Sequence, residues 1–200
     1  MRHAAVRIIL EEHAAVAAVL RSLLAMLRDG PGDEPGRYFD VLRAMLFYID
    51  EFPERLHHPK ESDLLFPRLA RVRPDLLPVV HALEQDHIRG EAKVRELQHQ
   101  LLAWELLGES RRPVFERQAR EYVGFYLEHM ATEEKQVLPA AEQSLAPADW
   151  VVLDAAFAAD RDPLAGGMHD PHYDRLFTRI VLTAPAPIGV GQPFGEAVAR

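Results

Sequence analysis

The sequence predicts an all-α protein: an up-down-up-down four-helix bundle over residues 1–145, followed by a short helical extension over 146–200. Three observations lead there. Four long stretches carry apolar residues at steps of three and four, the spacing of one buried helix face. Short turn-forming segments separate them, as antiparallel neighbours require. No strand signal occurs in the first 145 residues.

The first helix is expected over about residues 3–28, with Val6, Ile9, Leu10, Ala17, Leu20, Leu24 and Leu27 on one face and His13 inside that series. Asp29 to Gly36, dense in glycine and proline, is a loop. Phe39, Leu42, Leu46, Ile49, Pro53 and His57 form the stripe of the second helix, which resumes through Leu64, Leu65 and Leu69 and stops near Pro74. Pro53 and Pro59 lie inside it. An interior proline removes a backbone hydrogen bond and crowds the preceding turn, at about 3 kcal/mol. The helix is therefore expected to bend there, or to hold its side chains off ideal geometry.

The third helix has the most regular pattern: Val80, Leu83, His87, Gly90, Val94, Leu97, Leu101 and Trp104. Gly90 leaves room beside His87. Gly108 to Pro113 is a turn. The fourth helix turns Phe115, Ala119, Tyr122, either Phe125 or Tyr126, His129, Glu133, Val137 and Ala140 inward. In the extension, Trp150, Leu153 and Phe157 share one side of a short helix. Asp170-Pro171 reads as the start of another, Tyr173 to Thr183. Ala184 to Phe194 is irregular. The extension is too poor in apolar residues to fold alone. Trp150, Leu153, Phe157, Leu176 and Phe177 are therefore expected to cover a bundle face or a second copy of the chain in a homodimer.

Composition narrows the chemistry. Two hundred residues, 48% of them hydrophobic, suffice for one domain with a sizeable core. A net charge of −8 argues against nucleic acid and against an anionic membrane surface. There is no cysteine, which removes disulfides, thiolate ligands and iron–sulfur clusters together. No apolar run approaches the roughly 18–20 residues that cross a bilayer. The first residues are too soon broken by charge for a secretory signal. The protein is expected to be soluble and cytoplasmic.

The residues that carry chemistry repeat. His57 stands four residues before Glu61 and ten before Pro67; His129 stands four before Glu133 and ten before Pro139. Each unit runs out to a proline, read as a stop. On a helix, i and i+4 lie on one face with Cβ atoms roughly 5–6 Å apart, so one metal ion, or an adjacent pair, meets both side chains. Each of the four helices also contributes one inward histidine: His13, His57, His87 and His129. A single such histidine is more often a hydrogen-bonded core residue. Four of them, with two carboxylates, are costly to bury unless paired or bound to metal. His13, His57, Glu61, His87, His129 and Glu133 are the candidate ligands. An imidazole and carboxylate set suits iron, manganese or zinc.

In that order and on successive helices, these residues resemble the hemerythrin-like (HHE cation-binding) domain family over residues about 5–142. The segments His-His-Pro-Lys-Glu at 57–61 and Glu-His-Met-Ala-Thr-Glu-Glu at 128–134 carry the match. The resemblance implies a four-helix bundle with a non-haem di-iron site, bridged by Glu61 and Glu133 and capped by the four histidines. Oxygen-carrying members use a fifth histidine, four before the one on the third helix, and here that position is Leu83. They also place the second carboxylate five after its histidine, which would be Glu134; the counterpart in the first unit is Ser62, so the repeat favours Glu133. A set of four histidines and two carboxylates is more similar to bacterial di-iron proteins of oxidative and nitrosative stress and of iron-centre repair. Those usually carry a cysteine-bearing domain, and this chain has no cysteine.

Neighbouring residues have competing readings. His58 is turned ~100° off the face and reads as a surface or outer-layer group. Glu54-x-x-His57 and Glu84-x-x-His87 fit a ferritin-like motif, yet on consecutive helices and with His13 and His129 unused. Glu84 or Glu91 is a candidate for an additional ligand beside His87. His81 and His99 read as solvated, His169 to His172 as a turn, and the pairs Glu11-Glu12 and Glu133-Glu134 as partly solvated faces. The leading functional expectation is a di-iron protein that binds or senses a small diatomic ligand or peroxide, or handles iron. A di-iron oxidase or reductase using the same site is the first alternative. A helical scaffold with incidental metal is the second.

Overall fold

The computed structural model describes residues 2–167, 171, 173–192 and 194, and among them every regular element is a helix. Helix α1 covers Ala4–Asp29. It ends on Gly30 at φ 74°, a conformation that glycine adopts without a Cβ clash. Helix α2 starts as Pro35–Ile49 and passes through a π-helical stretch, Asp50–His57, an α-helical turn, His58–Lys60, and a second π-helical turn, Glu61–Leu65. It ends as Phe66–Val72. Helix α3 is Leu77–Leu107. Helix α4 is Arg112–Thr132, continued by a π-helical turn, Glu133–Val137, and by Leu138–Ser144. Helices α5, Pro147–Ala158, and α6, Asp174–Thr183, form the extension.

Pro67 and Pro139 are not stops. Each sits in the first turn of the helical segment that follows a π-helical turn. A proline ring crowds the carbonyl four residues back and leaves it without an N–H partner. Those carbonyls belong to Asp63 and Lys135, inside the two wide turns, where an i→i+5 pattern moves the carbonyl aside. Pro59 does the same to Arg55, inside Asp50–His57. The helices continue through their prolines, and both Glu61 and Glu133 stand at the first position of a widened turn.

The site lies between two apolar clusters. One gathers Leu20 of α1, Leu42 of α2, Trp104 of α3 and Phe115 of α4; the other gathers Ile9, Phe66, Leu83 and Val137 of the same four helices. In each helix the histidine falls in the sequence between these two segments. The buried face of α3 is the predicted one, residue for residue. In α4, Tyr126 is buried and Phe125 is half-buried. Helix α1 is buried more widely than one stripe, with Ile8, Val16, Val19 and Leu23 also inside, because α5 packs along it. Trp150, Leu153 and Phe157 join the second cluster, and Phe177 and Ile180 join the first. The expected helix start at Asp170 and the pair His169 and His172 lie outside the described residues. No helix among the described residues is long and apolar enough to cross a membrane.

Candidate metal centre

Four histidines from four helices turn Nε2 toward two glutamates. His57 Nε2 lies 3.2 Å from Glu61 Oε1, and His87 Nε2 lies 3.5 Å from Glu61 Oε2. His13 Nε2 lies 3.3 Å from Glu133 Oε2, and His129 Nε2 lies 3.3 Å from Glu133 Oε1. His87 Nε2 is also 3.8 Å from Glu133 Oε1. Each carboxylate therefore gives one oxygen to the side of His13 and His57 and the other to the side of His87 and His129. The i,i+4 pairs survive the widened helix because the π turns begin at the glutamates, after the His-to-Glu turn is complete.

Three of the four outward nitrogens are hydrogen-bonded, and His129 Nδ1 is buried without a partner. His13 Nδ1–H donates to Glu134 Oε1 at 3.1 Å, and His57 Nδ1–H donates to Glu12 Oε2 at 2.7 Å. His87 Nδ1 pairs with the Ser62 hydroxyl at 2.9 Å, and Asp86 Oδ2 stands 3.8 Å from His129 Nδ1. A carboxylate partner accepts only, so in the neutral imidazole of His13 and of His57 the proton sits on Nδ1 and leaves Nε2 with a free lone pair. Partners of this kind fix the tautomer and the orientation of a ligating imidazole.

His58 is not at the surface. It is buried, its ring stacks on His87 with centroids 3.9 Å apart, and both its nitrogens are engaged. Nδ1 donates to Glu54 Oε2 at 2.9 Å, and Nε2 accepts from the Tyr126 hydroxyl at 2.9 Å. Tyr122 donates to the other Glu54 oxygen at 3.3 Å. The widened Asp50–His57 stretch rotates position 58 inward, which an ideal 100° step does not show. Glu12, read as a solvated face, is 4% exposed. Its neighbour Glu11 is the outer member of that pair, bound by Arg161 at 2.6 Å. Glu91 is engaged by Arg95 at 2.5 Å, and neither it nor Glu84 joins the cluster. His81 and His99 are exposed, as expected.

The electrostatics call for positive charge. Burial pushes the pKa of His87 down, but Glu133 and Glu61 outweigh it and raise the value to about 9. His13 and His57 are raised in the same way, against burial, by Glu133 with Glu134 and by Glu61 with Glu12. Burial works to raise Glu61 and Glu133, yet the histidines around them leave both lowered. His58 goes the other way: burial, then the charge on His87, hold it neutral. Glu12 and Glu134 are lowered as well. Four ionised carboxylates, Glu12, Glu61, Glu133 and Glu134, carry −4, which two divalent ions balance while every imidazole stays neutral.

A metal fits this set. Buried polar atoms normally have hydrogen-bond partners. Here Nε2 of His57, His87 and His129 and both oxygens of Glu61 and Glu133 are buried without one. Two donors each about 2.1 Å from one ion and at right angles to it are about 3.0 Å apart, close to the observed N–O separations. Two sets have ligand atoms within 4.8 Å of one another: His13, His57 and Glu61, and His58, Glu61, His87 and His129. They share Glu61. Because both His58 nitrogens are engaged while Nε2 of His87 and Nε2 of His129 are not, His87 and His129 are the open donors of the second set. Beside His13 and His57 is a cavity of about 20 Å³ with Val16, Phe52, Leu56 and Met130 on its walls, space for a molecule the size of water.

A family model described as the hemerythrin HHE cation binding domain matches residues 4–141. No curated protein matches the sequence.

Proposed function

The chain belongs to the hemerythrin HHE cation-binding domain family, and from that membership we propose that it is a di-iron protein of up-down-up-down topology. It binds or senses a small ligand, oxygen, nitric oxide or peroxide, or handles iron under oxidative or nitrosative stress. In this reading His13 and His57 would hold one ion, His87 and His129 would hold the other, and Glu61 and Glu133 would serve both. The observation that carries it is the division of each carboxylate: one oxygen faces each histidine pair, and all four oxygens are buried without a hydrogen-bond partner. Iron accepts imidazole and carboxylate donors and would supply redox chemistry and the binding of a small ligand. The protein residues orient the imidazoles through Glu12, Ser62 and Glu134, and the apolar walls of the small cavity restrict what reaches the metal.

Anaerobic loading with ferrous iron, followed by oxidation and titration with azide, tests the reading. A saturable new absorption band is expected, together with a spectral change when nitric oxide is added to the reduced protein. An iron-loaded protein whose spectrum ignores both ligands would contradict a small-ligand site.

A further inference from the structure

The part of the chain outside the family match touches the metal centre at two points. Past α5 the chain turns through residues 159–162, and Asp162 is buried. The backbone N–H of Asp162 donates to Glu12 Oε1 at 3.0 Å. The other oxygen of that carboxylate accepts from His57 Nδ1 at 2.7 Å. One buried carboxylate thus joins the backbone of the extension to a histidine of the cluster. Asp162 is itself fixed, since its carboxylate accepts from the Tyr48 hydroxyl and from the N–H of Leu164.

The second point is Lys60, the residue before Glu61. Its Nζ donates to the carbonyls of Ala159, at 2.8 Å, and Asp160, at 3.2 Å. These carbonyls follow the C-terminal end of α5, where a cation is favoured by the helix dipole. The ammonium also stands 5.8 Å from the Phe157 ring centroid, a cation–π distance. Lys60, Asp160 and Asp162 all line the small cavity beside His57. A groove of about 850 Å³ lies outside it, and the two share Phe52, Leu56 and Asp160.

We propose that the 159–162 turn is the outer wall of the metal cavity. Asp162 is a positioning residue for His57, acting through Glu12, and Lys60 clamps the turn across the route from the groove to the site. The inference rests on the cluster being a metal centre. Its physical basis is that a ligating imidazole is aimed by the partner of its second nitrogen, and loss of such a partner costs about 10–100-fold in metal affinity. A carboxylate held by one hydrogen bond swings about it; held by two, on opposite oxygens, Glu12 keeps its aim.

Two substitutions at Asp162 separate the backbone from the side chain. Asp162→Ala removes the carboxylate and keeps the N–H. Asp162→Pro removes both, and the native φ of −58° suits proline. Each variant is titrated with cobalt(II), read by its absorption bands. One of the two ions is expected to bind about tenfold or more weakly in Asp162→Pro than in Asp162→Ala, and the other equally in both. Equal binding of both ions in the two variants overturns the role of Asp162. Failure of the unsubstituted chain to bind two ions overturns the metal-centre reading, and the inference with it. If the proline variant does not fold, Lys60→Met decides: release of bound cobalt to excess chelator should be several-fold faster, and Lys60→Arg should restore slow release. An unchanged release rate in Lys60→Met overturns the clamp.

Discussion

Glu133 Oε2 lies 3.3 Å from His13 Nε2, so the last long helix meets the first on a carboxylate that is 1% exposed. Its other oxygen faces His129. Glu133→Ala is therefore expected to abolish metal binding. Glu134→Ala should keep both metals at about 10–100-fold lower affinity, because Glu134 touches only the outer nitrogen of His13. Metal titration of the two variants checks this; equal losses would show that Glu134 ligates.

His58→Ala is expected to retain metal and lose stability. Both nitrogens of His58 are engaged by Glu54 and Tyr126, so its removal leaves the Tyr126 hydroxyl and the Glu54 Oε2 atom buried without that partner, while Glu54 Oε1 keeps Tyr122. Such groups cost about 1–3 kcal/mol each. Urea unfolding and a metal count on one preparation separate the effects. Loss of one metal with unchanged stability would make His58 a ligand.

The histidine register was legible because it depends only on helical period and on burial. His13, His57, His87 and His129 stand in the sequence among residues that the core clearly claims. The glutamates followed from the repeat. What sequence did not reveal depends on contacts across elements. Glu12 looks like one of a solvated pair until α5 and the 159–162 turn cover that side of α1. His58 falls off an ideal helical face and is brought in by a widened turn. Pro59, Pro67 and Pro139 mark those widened turns and are the one local signal of them, but a proline in sequence equally marks a bend or a stop. Nothing near Asp162 in sequence marks its N–H as a partner of Glu12.

Gly90 has a role beyond space for His87. A Cβ at this position would lie 2.9 Å from Glu54 Oε1, and Glu54 is held by His58 and Tyr122. A glycine-to-alanine change inside a helix ordinarily gains about 1 kcal/mol. Gly90→Ala is expected instead to cost about 1–2 kcal/mol, as overpacking of a fixed neighbour does. A stabilised variant in urea unfolding would show that Glu54 moves freely.

Without metal, stability should fall as pH rises. The folded protein holds a proton on His87 up to about 9, against 6.5 ordinarily. That contribution is complete below 6.5 and is lost as pH climbs through 9. Burial of Glu54 raises its pKa from 4.5 to about 8, which acts in the same direction over a lower window. Glu61 and Glu133, both lowered, contribute stability above 4.5 that is lost in acid. Metal binding requires neutral histidines and so strengthens with pH. The melting temperature gained on adding metal should therefore be larger at pH 9 than at pH 6. A metal-free protein whose melting temperature rises across that interval would contradict the assignment of these groups.

Metal stoichiometry tests the shared-carboxylate centre most directly. Elemental analysis of the full chain, reconstituted with ferrous iron under anaerobic conditions and freed of unbound metal, is the direct measurement, with Glu61→Ala as its companion. Two ions per chain are expected in the unsubstituted protein. Fewer than one is expected in Glu61→Ala, because Glu61 is shared by both histidine pairs. A chain that binds no metal, or a Glu61→Ala variant that still holds two ions, would contradict the shared-carboxylate centre.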